Sequence, residues 1–346
     1  MTHQESLYGK TPDQLAALCG ELGMPRFAAR QIARWLYVRH TEDPLRMTDI
    51  AAAHRQRLAE RFSPALSAPE RVTESADGTK KYLFRTLEGH YVESAYIPDG
   101  ERATLCVSSQ AGCRMGCRFC ATGRQGLQHS LTAAEILNQA VSLPERDKLT
   151  NLVFMGMGEP MGNYKSVLSA VRQISAMPPE GFGISARNIT VSTVGVVPGI
   201  KKLTAEGIPV RLAVSLHAPS DELRDELVPM NKRFNTTQVL DAAHDYYLAS
   251  KRRVSIEYAL MRGINDQAEH AKLLAKRLNH YGDNWAHVNP IPLNPIEGSK
   301  WTASKPEDEQ QFLDILHKAG ITATLRDTRG QDIDGACGQL AAKEQD

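Results

Sequence analysis

Cys113-Arg-Met-Gly-Cys117-Arg-Phe-Cys120 follows closely on the strand-like run Ala103-Thr-Leu-Cys-Val-Ser108. Three thiols fall within eight residues, separated by three residues and then by two. A loop with three thiolates can hold three irons of a [4Fe–4S] cluster. Closed clusters take four cysteines, and no nearby fourth cysteine completes this set. One iron is then left with an open position that needs an exchangeable ligand. The competing reading is zinc, which takes four ligands at paired spacings with a second pair downstream. No second pair exists in the sequence.

Outward from this loop the chain alternates between two hydrophobic periods. Strand patterns fall at 103–108, 151–156, 187–193, 210–216, 253–260 and 286–292. Helical patterns fall between them at about 132–143, 163–177, 198–206, 236–249 and 267–281, with another at 306–319. Such alternation predicts an α/β fold with a parallel sheet and helical crossovers. Six units make an open, partial (βα)6 barrel, whose chemistry belongs at the C-terminal ends of its strands. Marked polar groups lie there. Gly156-Met-Gly158-Glu159-Pro160 follows the apolar strand Leu152-Val-Phe-Met155. Ser192 ends the next strand, Ser215-Leu216-His217 the one after, and Asn294 lies just past the sixth. Glycines let a backbone approach a ligand closely, and Glu159 can accept from an ammonium. Singly these are capping residues; on successive strands they suggest a rim that binds a zwitterion.

Residues 1–62 read as a small helical module. Thr11-Pro12-Asp13 is a cap with proline at the first helical position, and Leu15, Leu18 and Leu22 share one face. A second segment, about Arg26 to Val38, is expected to bury Phe27, Ile32, Trp35 and Leu36 and to project Arg26, Arg30 and Arg34. A third runs from Thr48 towards Phe62. The module reads equally as a packing appendage or as an RNA-contacting domain. Ser63-Pro-Ala-Leu-Ser-Ala-Pro69 is the expected linker, and Lys80–Arg85 and His90–Ile97 are extended runs. Residues 63–98 thus form a linker and β extension, and residues 99–346 the barrel with a C-terminal cysteine loop. Glu93 sits in the second run, where a lone glutamate ordinarily faces solvent.

A chain of 346 residues with 42% hydrophobic and 23% charged residues has the composition of a soluble globular protein. It contains no apolar run of about 18 residues, so no membrane partner is expected. Its first residues lack a basic and then apolar signal pattern. Six cysteines do not make a disulfide scaffold at this size, and a thiolate cluster needs a reducing compartment, so the cytoplasm is expected. A net charge of +1 leaves any RNA site to local patches. Arg26/Arg30/Arg34, Arg114/Arg118/Arg124 and Lys201–Lys202 are candidates.

Two further cysteines have a plain reading as isolated thiols. Cys106 lies on the first barrel strand, and Cys337 lies in the glycine-flanked Gly335-Ala-Cys-Gly-Gln339. A flexible loop carrying a thiol to a barrel mouth also suits a nucleophile towards a sulfonium methyl. With these residues assembled, the triad resembles the signature of the radical S-adenosylmethionine superfamily, whose open iron chelates that cofactor. The whole chain resembles the RlmN/Cfr family of radical S-adenosylmethionine RNA methyltransferases, and its RlmN branch most. The matching stretches are Arg102-Ala-Thr-Leu-Cys-Val-Ser-Ser-Gln110, the triad, Met155-Gly-Met-Gly-Glu-Pro160, Ser192-Thr-Val-Gly195, Ser215-Leu-His217 and Arg329-Gly-Gln-Asp-Ile-Asp-Gly-Ala-Cys337-Gly-Gln-Leu340.

The resemblance implies that Cys113, Cys117 and Cys120 hold the [4Fe–4S] cluster. Gly158, Glu159, Ser192, Ser215, Leu216, His217 and Asn294 would hold S-adenosylmethionine, two molecules of which are used per turnover. Cys337 would take a methyl group from one, and a 5′-deoxyadenosyl radical from the second would activate that methyl for addition to adenine. Cys106 would help resolve the adduct, leaving a transient Cys106–Cys337 disulfide. Glu93 matches the proton acceptor, although either it or Cys106 suits that role. The implied partners are 23S rRNA, tRNA with its adenosine beside the anticodon, and an electron donor of flavodoxin or ferredoxin type; the chain is expected to be a monomer. Elementary chemistry agrees, since adenine C2 and a sulfonium methyl are both electrophilic and a carbon radical avoids the mismatch. Methylation at C8 and a non-catalytic metal-containing RNA-binding protein are the alternatives.

Overall fold

The computed structural model describes residues 6–41, 43–62, 66–282 and 284–342. Helix α1 (Pro12–Glu21) starts at a reciprocal capping box, with Thr11 accepting from the Gln14 backbone and the Gln14 side chain accepting from Thr11 N–H. Helix α2 (Ala28–Tyr37) buries Ile32, Trp35 and Leu36. Phe27 differs from expectation and is 67% exposed. It occupies the N-cap position, ahead of the helical face that carries Ile32 and Leu36. Helix α3 (Ala52–Arg61) completes the module. In the expected linker, Ser63, Pro64 and Ala65 lie outside the described residues, whereas Ser67 N–H donates to Asn138 Oδ1 at 3.0 Å.

Strands β1 (Arg71–Glu74), β2 (Lys80–Arg85), β3 (Tyr91–Asp99) and β4 (Arg102–Cys106) form an antiparallel meander. A small hairpin of β5 (Gln110–Cys113) and β6 (Gly126–Ser130) then encloses the short helix α4 (Ala121–Arg124). The alternating part follows: α5 (Ala133–Val141), β7 (Asn151–Phe154), α6 (Tyr164–Ser175), β8 (Ile189–Thr193), α7 (Val197–Glu206), β9 (Arg211–Ser215), α8 (Asp221–Leu227), α9 (Thr236–Ser250), β10 (Val254–Leu260), α10 (Ala268–Asn279), β11 (Ala286–Pro292) and α11 (Pro306–Lys318).

One nine-stranded sheet runs β1-β2-β3-β4-β7-β8-β9-β10-β11. From β4 onward every neighbour is parallel, giving the six strands of the expected partial barrel. The meander extends it on one side, so β1 and β11 are its edges. Side chains alternate across a strand with a period of two. Leu105, Leu152, Val191, Leu212, Val214, Ile256 and Val288 turn outward and are buried; each contributes about 1.5–3 kcal/mol by leaving water. The intervening positions turn inward, among them Thr190, Arg211, Ser255, Glu257 and Asn289 around an interior cavity. The N-terminal helices share one hydrophobic core with the barrel. Ser169 and Gln173 of α6 donate to the carbonyls of Gly9 and Lys10, and Tyr37 meets Phe182 edge-on at 5.5 Å. Among the described residues no helix is long and apolar enough to cross a membrane.

Candidate active site

The triad occupies a loop whose glycines have no substitute. Gly112 lies at φ +70° and a Cβ there would sit 1.8 Å from Gly126 O, so only glycine lets β5 and β6 close before Cys113. A Cβ on Gly123 would sit 2.8 Å from Cys117 O. Cys120 N–H donates to Cys117 O, and Cys120 occupies the N-cap position of α4. All three sulfur-bearing residues line one cavity at the C-terminal ends of the strands. Burial pushes the Cys113 thiol up to about 12 and raises Cys117 and Cys120 as well. Thiols this buried ionise only against a cation, and three of them on one loop fit an iron–sulfur cluster.

The polar rim assembles around the same cavity, which Gly158, Glu159, Ser192, Ser215, His217 and Asn294 all line. Gly158 lies at φ +94°, with room for no Cβ against Gln110. Glu159 is buried, and its two oxygens accept from Met161 N–H at 3.0 Å and Val194 N–H at 2.9 Å. Burial raises its pKa. Ser192 and Ser215 hydroxyls lie 3.4 Å apart. His217 Nδ1 accepts from Ala259 N–H at 3.0 Å, which leaves its proton on Nε2. Burial, and then the Arg224 guanidinium, lower its pKa to about 3, so the ring is neutral. Leu216 is fully buried and does not line the cavity; its N–H donates to Glu257 O.

Cys337 reaches this cavity from a separate segment, and the loop carrying it is fastened at several points. Ala121 N–H, in the first turn of α4, donates to Gly338 O at 2.8 Å. Asn294 Nδ2 donates to Cys337 O at 2.9 Å while its Oδ1 accepts from Gln331. Gln339 Nε2 donates to Pro295 O. Cys337 also lines a second cavity, shared with Cys106, in the N-terminal half of the barrel. Cys106 is absent from the lining of the first. Burial, and then the neighbouring Cys337, push the Cys106 thiol up to about 12.

Glu93 stands apart from both cavities. It pairs with Lys81 Nζ at 3.1 Å, accepts from Ala341 N–H at 3.0 Å, and faces a third opening bounded by Arg71 and Arg124. Two arginines central to the site were not legible in the sequence. Arg224 of α8 is fully buried, with Nε donating to Leu216 O, Nη1 to Asn231 Oδ1 and Nη2 to the carbonyls of Val194 and Ser215. It braces the loops after β8 and β9. Arg326 lines both cavities beside the two cysteines and lies 3.8 Å from Glu257. The nearby Cys337 raises its pKa. The only sequence signal for it was its place just before the cysteine loop.

A partial barrel with three cysteines on the loop after its first strand defines a radical S-adenosylmethionine enzyme. The Radical SAM superfamily profile matches residues 107–275, and that of the "Ribosomal RNA large subunit methyltransferase N-terminal domain" matches residues 6–63. The chain is 68% identical over 345 residues to the probable dual-specificity RNA methyltransferase RlmN of Bifidobacterium longum, covering 96% of this chain and 89% of that one. It is 53% identical to the protein of the same description from Thermobifida fusca, covering 96% and 93%. A crystal structure of a radical SAM methyltransferase from Sphaerobacter thermophilus matches with a TM-score of 0.91 at 42% identity, covering 98% of this chain and 100% of that one. The chain belongs to the RlmN family of radical S-adenosylmethionine RNA methyltransferases. Membership brings S-adenosylmethionine and a [4Fe–4S] cluster.

Proposed function

We propose that this enzyme methylates C2 of one adenosine in 23S rRNA and of the adenosine beside the anticodon in tRNA, with Cys337 as methyl carrier. One observation carries the reading: Cys337 is the cysteine that lines both the cavity of the cluster thiols and the cavity of Cys106. A carrier has to meet the methyl donor on one side and a resolving thiol on the other.

Cys113, Cys117 and Cys120 hold the cluster, which supplies one-electron reductive cleavage of S-adenosylmethionine. Glu159 and the Ser192–Ser215 pair offer acceptors to the ammonium of the cofactor, and neutral His217 offers its Nε2–H. The Gly158 backbone gives close approach. Two cofactor molecules serve each turnover, one as methyl donor to the Cys337 thiolate and one as radical source. Arg326 lines both cavities beside Cys337. Cys106 closes the cycle by forming a disulfide with Cys337 as the adduct is released. Glu93 is engaged by Lys81 and Ala341 N–H, so acting as proton acceptor requires it to exchange the Ala341 contact for the substrate; Cys106 is the other candidate base.

Residues 1–62 serve as the RNA-contacting module, 63–98 as linker and β extension, and 99–346 as the catalytic barrel. The near-neutral charge suits recognition by shape and by extrusion of a single base. A cytoplasmic monomer served by a flavodoxin- or ferredoxin-type donor completes the proposal. Mass analysis of nucleosides after the anaerobically reconstituted protein acts on unmodified rRNA and tRNA tests it. C2-methyladenosine that requires both reductant and S-adenosylmethionine is expected. C8-methyladenosine, or no methylated adenosine with the cluster intact, would overturn it.

A further inference from the structure

Five arginines gather where the parallel strands enter the barrel, at the end away from the cluster. Arg102 opens β4 and Arg211 opens β9; Arg187 precedes β8, and Arg252 and Arg253 precede β10. Arg187, Arg211 and Arg252 are close enough to feel one another. Arg252 Nη2 donates to Arg187 O at 3.1 Å, and the Arg252 guanidinium is disfavoured first by burial and then by Arg211 and Arg187. Arg252 Nε is buried with no hydrogen-bond partner among the described residues. On the same side, burial and then the Arg253 guanidinium lower the pKa of His287, with Arg211 acting in the same direction.

From this basic rim a cavity of about 520 Å³ runs into the barrel, past Arg102 and Arg211, and ends on Cys106 and Cys337. Three acids also line it. Glu257 faces Arg326 and Asp327 is bound by Arg329, leaving Asp99 against Arg102 and Arg211. The excess charge is positive. Cys106 is 7% exposed, so its sulfur is approached through this cavity and not from the open surface, a path that suits a small molecule. The other approach, through the cavity at the strand C-termini, is where the cluster and cofactor bind.

We propose that this cavity is a binding site for a low-molecular-weight anionic thiol, which reduces the Cys106–Cys337 disulfide between turnovers. The proposal rests on the two-thiol reading above. The thiolate of the reductant attacks one sulfur of the disulfide; a mixed disulfide forms and the other cysteine leaves as a thiolate, which takes up a proton. A second thiolate attacks the mixed disulfide, releasing the remaining cysteine and an oxidised reductant. Two small thiols supply two electrons and two protons. A cationic rim concentrates anions in a low-dielectric mouth, and the thiolate is the attacking species, so both act in the same direction.

The test takes the holoenzyme through a single turnover with substrate RNA, then quenches by alkylation and follows the Cys106–Cys337 peptide pair by mass spectrometry. Reduction rates are compared for 2-mercaptoethanesulfonate and cysteamine in the wild type and in Arg102→Gln/Arg211→Gln. The ratio of anionic to cationic rate is expected to fall about tenfold in the double variant. In the wild type, 0.5 M salt, a probe concentration, should lower the same ratio by screening, an arm that needs no variant to fold. A ratio unmoved by both substitution and salt overturns the proposal while leaving the two-thiol mechanism intact. No Cys106–Cys337 disulfide after turnover overturns that mechanism and this inference with it.

Discussion

Replacing Arg224 by methionine tests whether one buried cation holds the cofactor rim in place. Arg224 is fully buried and donates to three carbonyls and one amide oxygen, which belong to the segments after β8 and β9 and to Asn231. Hydrogen bonds from a charged donor contribute about 1.5–3 kcal/mol each, and acceptors left buried without a donor cost about 1–3 kcal/mol each. Methionine fills similar volume and removes the desolvation cost of the guanidinium, which offsets much of that sum. Breaking a buried charged network from one side costs about 3–5 kcal/mol overall, and we expect a loss in that range by denaturant unfolding of the apoprotein. The loss should be local in origin. Leu216 O and Ser215 O flank the site residues, so S-adenosylmethionine affinity, measured by equilibrium dialysis, should weaken at least tenfold. Arg224→Lys should recover part of both, since an ammonium has three donors but no planar fork. A stability change below about 1 kcal/mol with unchanged cofactor affinity would refute the bracing argument.

Three further outcomes follow from the same geometry. Cys337→Ala should abolish methyl loading as read by intact mass, whereas Cys106→Ala should load normally and accumulate a covalent RNA adduct; full turnover by either variant would remove the two-thiol scheme. Gly158→Ala forces a side chain into φ +94° with its Cβ 2.5 Å from that of Gln110, so it should destabilise by about 1–3 kcal/mol and lose cofactor binding, and a folded variant with normal affinity would contradict the close approach. His217 has a folded pKa near 3, below its unfolded value of 6.5. Its contribution is therefore present above pH 6.5 and is lost as pH falls towards 3. Below pH 6.5 its slope should approach about 1.4 kcal/mol per pH unit. NMR of the apoprotein should show the ring neutral at pH 5, and a titration midpoint near 6.5 would contradict the burial argument.

The barrel was legible because its strands alternate. Leu212-Ala-Val-Ser215 and Ser255-Ile-Glu-Tyr258 place apolar groups under helices and small or polar groups inside, and the expected bounds agree with the observed strands to within about two residues. The β5–β6 hairpin was not legible, because Gln110-Ala-Gly-Cys113 has no apolar period and owes its shape to a glycine that admits no Cβ. Helix α8 was missed for a related reason. Asp221-Glu-Leu-Arg-Asp-Glu-Leu227 looks like a short solvated surface, yet Arg224 turns inward to carbonyls that only tertiary structure supplies. The triad and the approach of the Cys337 loop to the barrel mouth were readable; the main-chain bond that fastens that loop to α4, between positions more than 200 residues apart, was not. Phe27 shows the opposite failure, an apolar residue counted as core that sits one step before the helix begins.

The bond from Ala121 N–H to Gly338 O joins the helix after Cys120 to the residue after Cys337. It is made entirely of main-chain atoms. Point substitutions exchange side chains and leave those atoms in place, except for proline at position 121 and any side chain at Gly338, whose φ of +84° favours glycine. The spacing between the loop of the three cysteines and the loop of Cys337 is thus insulated from most exchanges of side chain. The exposed arginines and glutamates around the mouth can change without altering the distance between the two cysteine loops.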